Sequence, residues 1–281
     1  MDIKRTQNFT ISGKHQKPIV ADVFYTANKT PKKIVVFCHG YKGFKDWGAW
    51  NLMAETFAKS GFFFVKFNFS HNGGTVNNPI DFPDLEAFGN NNYTKELDDL
   101  ETVLDWLFTQ KTYQKEVNTS QICLIGHSRG GGIVTIKAAE DNRIKNLISL
   151  AGVCDFEKRT STVGDLEDWK KNGVKYVVNG RTKQHMPHYY QFYEDFIANK
   201  NRLDIKKATQ KISVPHLIIH GNKDTAVLID EAKKLHKWNP KSSLEIIDDA
   251  NHVFNVSHPW KQEKTSVELE KVTNLCINFL S

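Results

Sequence analysis

Residues 122–134 read ICLIGHSRGGGIV. An apolar run, Ile122 to Ile125, stops at Gly126-His127-Ser128-Arg129-Gly130, and a second apolar stretch resumes behind it. A short, uninterrupted apolar run ending in glycine is the pattern of a strand covered on both faces, and the second stretch has the composition of a helix. A serine at the tip of such a strand-to-helix turn is forced into strained dihedrals, which lift its hydroxyl clear of the sheet. Gly126 and Gly130 fit that geometry, because a Cβ at either place would collide where strand and helix cross closely. A helix beginning near Arg129 aims its unpaired N–H groups and positive dipole end at the surroundings of the serine, so the Arg129 amide is a candidate donor to an oxyanion. The competing reading of the pentapeptide is a glycine-rich loop that merely turns.

The same strand signature recurs on either side. Residues 33–40, 61–69, 121–126, 146–153, 215–221 and 243–250 are short apolar segments, several ending in Gly or Asp. An antiparallel pair, 6–12 and 17–26, precedes them, joined by the turn-like SGKHQ. Helical patterns fall at about 48–60, 94–110, 130–140, 227–238 and 262–280. Strands alternating with helices predict a mostly parallel, doubly wound α/β sheet, since each parallel pair needs a crossover that packs as a helix. In such sheets chemistry collects at the carboxyl ends of the strands. The rhythm breaks between about 155 and 210, where an insertion carries Trp169, Tyr176, Tyr189, Tyr190, Phe192, Tyr193 and Phe196. Its aromatic content argues against disorder and for a small helical cap over the strand ends. The expected organisation is one domain over residues 1–281 with that cap inserted.

A serine of ordinary pKa needs a base, and the base an orienting carboxylate. Each of the last two expected strands ends in one: HLIIHGNKDTAV puts Asp224 just past a strand, and LEIIDDANHVF puts His252 just past the next. Asp155, Asp230, Asp248 and Asp249 compete with Asp224; the last two lie too near His252 in sequence to approach its ring easily from behind. A second oxyanion donor is expected from the loop after KIVVFC, where Gly40 lets the backbone come close and the Tyr41 amide donates, with His39 as an orienting residue.

Composition narrows the classes. The 281 residues, 40% of them hydrophobic, suffice for a sizeable core. A net charge of +6 arises from 38 basic and 32 acidic residues, the lysines being dispersed as on a solvated surface, so no nucleic-acid partner is expected. Cys38, Cys123, Cys154 and Cys276 form no C-x-x-C pair and suggest buried, reduced thiols. No apolar leader or membrane-length run appears, and a cytoplasmic protein is the expectation. HMPH at 185–188 has metal-like spacing, but its proline spoils a helical presentation and no third ligand is evident. No phosphate-cradling glycine motif occurs.

Together CHGYKG (38–43), GHSRGG (126–131), HGNKDTAV (220–227) and ANHVF (250–254), in that order, resemble the α/β-hydrolase superfamily over nearly the whole chain. Within it the pattern is similar to capped single-domain esterases, including cinnamoyl and feruloyl esterases, and to stand-alone relatives of prolyl-oligopeptidase-like and dienelactone hydrolases. The resemblance implies an α/β-hydrolase fold and a serine hydrolase of carboxylic esters. Its catalytic residues would be Ser128, His252 and Asp224, its oxyanion donors the Tyr41 and Arg129 amides, and it would need neither cofactor nor metal. A peptidase or thioesterase would use the same three side chains, and a non-catalytic ligand-binding protein is the alternative from another class. The cap aromatics point to an aryl or hydroxycinnamoyl ester. One departure stands out: after FNF many relatives carry an Arg-Gly-x-Gly turn bordering the pocket, whereas this chain reads Ser70-His71-Asn72-Gly73-Gly74. The sequence leaves the oligomeric state open.

Overall fold

A computed structural model describes residues 2–161 and 165–281. Ten strands and ten helices follow one another as β1 (Ile3–Ile11), β2 (Ile19–Thr26), β3 (Lys32–Cys38), α1 (Trp50–Lys59), β4 (Phe63–Asn68), α2 (Leu85–Gly89), α3 (Tyr93–Thr109), β5 (Val117–His127), α4 (Arg129–Glu140), β6 (Ile144–Leu150), α5 (Phe156–Ser161), α6 (Leu166–Asn172), β7 (Val174–Val178), β8 (His185–Tyr189), α7 (Gln191–Ala198), α8 (Ile205–Lys211), β9 (His216–Gly221), α9 (Ile229–Trp238), β10 (Ser243–Ile247) and α10 (Val267–Leu280). These counts are of the described residues.

Eight strands form one sheet in the order β1-β2-β4-β3-β5-β6-β9-β10. β2 runs antiparallel to β1 and β4, and every pairing from β4 to β10 is parallel. The apolar runs are continuous because both faces are covered. Along β3, Ile34, Val36 and Cys38 enter a core shared with α3, α4 and α9, while Val35 and Phe37 enter the opposite core against α1 and α10. Alternate residues of one strand thus supply two layers. All four cysteines are unpaired and buried. No helix among the described residues is long and apolar enough to cross a membrane.

The insertion between β6 and β9 carries the expected helices and, beside them, a hairpin. Between α6 and α7 it folds an antiparallel hairpin, β7 with β8, registered Val174 to Tyr189 and Val178 to His185. Gly173, at φ +69, closes α6 in the left-handed conformation and lets the chain turn straight into β7. Positions 162–164 of the insertion lie outside the described residues.

The lysines are not all on the solvated surface. Lys66, in the middle of β4, and Lys45, in the loop after β3, are wholly buried. Both ammonium groups bond the Asp22 carboxylate, at 2.5 and 2.8 Å, and the Asp46 carboxylate, at 2.5 Å each. Two cations facing two anions is the condition under which such charges are tolerated in an interior. The Lys45 amide also donates to Asn68 at 2.6 Å, so the cluster pins the loop that starts at His39 onto β4.

Candidate active site

Ser128 sits between the last residue of β5 and the first of α4 with φ 57 and ψ −119, a region that side-chain-bearing residues rarely enter. The turn is over-determined from all sides. The Ser128 amide donates to the Leu150 carbonyl at 3.0 Å, and its own carbonyl accepts from Gly131 at 3.0 Å and Val153 at 3.1 Å. A Cβ on Gly126 would lie 2.2 Å from the Gly130 carbonyl oxygen, and one on Gly130 would lie 2.4 Å from that of Cys38. Only glycine permits β3, β5 and α4 to meet this closely.

The loops after β9 and β10 bring the other two side chains in. His252 Nε2 is 3.0 Å from Ser128 Oγ, and His252 Nδ1 is 2.7 Å from Asp224 Oδ2. Nδ1 faces a carboxylate, so it carries the proton and leaves the Nε2 lone pair toward the hydroxyl. Burial alone would push the Asp224 carboxyl up. Hydrogen bonds from His220 and His252, and one from the Val227 amide, instead hold it well below the usual carboxylate range. Its Oδ1 accepts from the amides of Ala226 and Val227, at 2.8 and 2.9 Å.

The competing aspartates stand elsewhere. Asp155 accepts from the Lys158 amide at the start of α5, Asp230 is exposed on α9, Asp248 accepts from Asn222, and Asp249 precedes the loop as an exposed residue.

The Tyr41 and Arg129 amides have no intramolecular acceptor among the described residues. The Gly40 carbonyl is tied back by His39 Nδ1 at 2.9 Å and by the Gly43 amide at 3.0 Å. In a trans peptide the N–H points opposite to the C=O, so the Tyr41 N–H is turned away from His39. A Cβ on Gly40 would come within 2.8 Å of the Ser128 Cβ, so this peptide lies directly beside the serine. Burial lowers the His39 pKa to about 4, and the ring is neutral, donating from Nδ1 and accepting from the Phe69 amide at Nε2.

Two histidines that the sequence does not single out brace the same loops. His127 Nε2 donates to the His252 carbonyl at 2.8 Å, and His220 Nε2 donates to the Val227 carbonyl at 2.8 Å and to Asp224 Oδ2 at 3.2 Å. His127 is the last residue of β5 and His220 the last but one of β9, positions that could have flagged them. The unusual loop Ser70–Gly74 does not line the chambers at Ser128. Asn72 reaches from it to the Gly43 carbonyl at 3.3 Å, buttressing the Tyr41 turn from behind.

Ser128 opens onto two chambers. The larger, of about 400 Å³, lies under the insertion, where Phe156, Trp169 and Phe192 join Tyr41 and Tyr93 in its wall. The smaller, of about 250 Å³, is bordered by Trp47 and Trp50 and by Asn179 and Arg181 of the insertion. Of the insertion's other aromatic residues, Tyr190 and Tyr193 pack on Trp169, while Tyr176 is exposed. The Arg129 side chain also lines the larger chamber, stacked 4.4 Å from the Tyr41 ring and paired with Glu96 at 3.3 Å. The sequence points only to its amide.

HMPH does not present a metal pair. His185 is exposed, whereas His188 is buried and accepts from the Tyr41 hydroxyl at 2.8 Å. Three positions apart on a strand, the two rings lie on opposite faces. Among the described residues no three His, Cys, Asp or Glu side chains group as metal ligands.

Comparison with known proteins gives the same architecture. A family model described as the alpha/beta hydrolase fold matches residues 33–184. Est1E from Butyrivibrio proteoclasticus is similar in structure, with a TM-score of 0.71 at 19% identity, covering 98% of each chain. A dienelactone hydrolase from Anabaena variabilis has a TM-score of 0.65 at 16% identity, covering 99% of this chain and 97% of that one. In sequence the chain is similar to an uncharacterized 31.7 kDa protein in the traX-finO intergenic region of Escherichia coli. The two are 22% identical over 254 residues, which cover 78% of this chain and 82% of that protein.

Proposed function

The chain belongs to the α/β-hydrolase fold family, and on that footing we propose that it is a serine hydrolase cleaving small-molecule carboxylic esters through an acyl-enzyme intermediate. The observation that carries this reading is the bridging imidazole, His252, bonded to Ser128 at 3.0 Å and to Asp224 at 2.7 Å. Ser128 Oγ attacks the acyl carbon as His252 Nε2 takes its proton. The oxyanion accepts hydrogen bonds from the Tyr41 and Arg129 amides. Collapse breaks the acyl C–O bond, and the alcohol leaves with the proton that His252 returns. Water then attacks the acyl carbon as His252 takes its proton, and collapse breaks the bond to Ser128 Oγ, which receives that proton back from His252 as the acid leaves. Asp224 fixes the imidazole tautomer and stabilises the imidazolium. None of these steps calls on a metal or cofactor.

The insertion serves as the cap. Its rings in the larger chamber support an aryl acyl group such as a hydroxycinnamoyl ester. Est1E has been crystallised with ferulic acid bound, which at 19% identity is a property of that protein.

The test is hydrolysis of a nitrophenyl ester panel differing only in acyl part, with Ser128→Ala as control and a fluorophosphonate label as readout of the nucleophile. Turnover and labelling that both vanish in Ser128→Ala are expected. Absence of Ser128-dependent turnover and labelling overturns the reading. Faster cleavage of a peptide amide or an acyl-CoA in the same assay reassigns the site to peptidase or thioesterase, and better turnover of plain aliphatic esters removes the aryl preference.

A further inference from the structure

We propose that His220 is a positioning residue for the reaction, fixing Asp224 Oδ2 in place and setting how strongly that oxygen holds the His252 ring; the proposal rests on the reading of Ser128 given above. His220 is the last residue but one of β9, it is paired with Ile246 of β10, and its side chain is wholly buried. Asp224 stands in the turn after β9 and His252 in the loop after β10. Two loop residues thus share one anchor mounted on a strand, which holds a side chain more precisely than a loop can. Gly221 tightens the mounting, since a Cβ there would lie 2.1 Å from the carbonyl oxygen of Ala250, two residues before His252.

The His220 Nε2–H reaches two acceptors, the Val227 carbonyl at 2.8 Å and Asp224 Oδ2 at 3.2 Å. The Val227 amide in turn donates to Asp224 Oδ1 at 2.9 Å, so ring, turn and carboxylate close on one another. Oδ2 therefore receives one N–H from His220 and another from His252 Nδ1, the latter at 2.7 Å. Burial alone would drive this carboxyl up, and the His220 bond is the largest of the effects that bring it down. The ring at 220 bears a cost in return. With its proton on Nε2, its Nδ1 is a buried acceptor with no hydrogen-bond partner among the described residues. A side chain kept for its volume alone would be apolar.

Each donor neutralises part of the charge on Oδ2, so the His220 bond moderates the hold of Asp224 on the imidazolium that forms at His252. The ring then returns its proton to the leaving alcohol more readily, while the carboxylate stays where Nδ1 needs it. Two further ionisable groups reach these residues from other elements. His127, at the end of β5, has its ring 4.8 Å from that of His252 and is kept neutral by burial, which lowers its pKa to about 3. Arg159, from α5, bonds the neighbouring Ala226 carbonyl at 3.0 Å. Neither of them bonds Oδ2, which leaves His220 as the group that shares this oxygen with His252.

The test compares His220→Phe, which keeps the ring volume and removes the donor, with His220→Gln, whose side-chain amide can reach the same acceptors. In His220→Phe kcat should fall about tenfold with KM little changed, and the acid limb of the kcat/KM profile should move up by about one pH unit, as loss of one hydrogen bond to a charged group provides. His220→Gln should restore most of both, with thermal melting used to check that each variant is folded. An unmoved limb, with or without a loss of stability, or a limb that moves equally in the two variants, overturns the proposal. Should His220→Phe not fold, His220→Asn, whose amide is too short to reach Oδ2, takes its place with the same expectation. If no ester is turned over at all, the low-field NMR resonance of the proton between His252 Nδ1 and Asp224 Oδ2 decides. A resonance displaced when the donor is removed and restored in His220→Gln keeps the positioning role while the hydrolase reading falls, and an unmoved resonance removes both.

Discussion

Asp224 holds His252 by a single oxygen: Oδ2 meets Nδ1 at 2.7 Å, while Oδ1 is occupied by the amides of Ala226 and Val227. The carboxylate can neither rotate nor trade oxygens without stranding two backbone donors. In Asp224→Asn the amide oxygen must therefore stay on those two N–H groups, which turns the NH2 toward His252. A donor facing Nδ1 forces the ring proton onto Nε2, where it meets the Ser128 hydroxyl instead of accepting from it. The expected outcome is a fall in kcat of about 10⁴-fold with the fold retained, read by ester hydrolysis and circular dichroism. Retention of more than about a tenth of the activity would show that tautomer control is unimportant here.

The Tyr41 amide owes its direction to His39, which bonds the Gly40 carbonyl at 2.9 Å. His39→Phe keeps the ring volume and removes that bond. A freer peptide presents its N–H to the oxyanion for only part of the time, so kcat should fall about ten- to a hundredfold, short of the loss when a donor is deleted outright. KM should change little, since the ground-state carbonyl gains little from the donor. His39→Gln, whose side-chain amide can donate to the same carbonyl, should recover part of the loss. A KM effect with unchanged kcat would contradict this role.

Lys66 is balanced by Asp22 and Asp46, each at 2.5 Å. Replacing it with methionine fills the space but leaves two carboxylates facing Lys45 alone. Breaking a buried ionic group in this way is worth about 3–5 kcal/mol of stability, measurable as a lowered urea midpoint. The Lys45 backbone is tied to β4, so ester turnover should also drop before the protein unfolds, through the loop that carries Tyr41. A variant within about 0.5 kcal/mol of the parent would show that the cluster is not a structural anchor.

Ser128, Asp224 and His252 were legible because each stands in the turn directly after an apolar run, and the order of runs fixes the sheet edge to which those turns belong. The Lys45–Lys66 cluster was not, because charge in a sequence reads as surface unless its partners are known, and Asp22, Lys45 and Lys66 meet only once β2 and β4 pair. A lysine inside the apolar run FVKFN and an aspartate inside IVADVF were the available signs. The β7–β8 hairpin was hidden for a different reason. Its residues pack mainly on each other and on α2 and α6, so they show no clean alternation of buried and exposed positions. Arg129 shows how one motif position can stand in two places at once, its amide beside Ser128 and its guanidinium in the chamber wall.

Five histidines are buried neutral: burial lowers His39 and His71 to about 4, and His127, His188 and His216 to about 3, from an ordinary value near 6.5. Between those limits the unfolded chain binds protons that the folded chain does not, so stability is complete above about pH 6.5 and declines as pH falls toward 4. At pH 5 each such histidine withdraws on the order of 2 kcal/mol, and five together rival the whole stability of a domain. Aspartates such as Asp46, lowered to about 2 by Lys66 and Lys45 against the opposing effect of burial, contribute only below about pH 4. Asp99 acts the other way, because burial raises its carboxyl to about 7 and the folded chain gains that proton between pH 7 and pH 5, offsetting about one histidine; urea midpoints should still drop steeply over the interval. His216, which meets Ser149 at 3.1 Å and lines neither chamber at Ser128, isolates one proton of this effect. His216→Gln should lose about 2 kcal/mol less than the parent over the same interval, each compared with its own value at pH 7. A midpoint flat from pH 7 to pH 5 would mean that these rings protonate inside the fold.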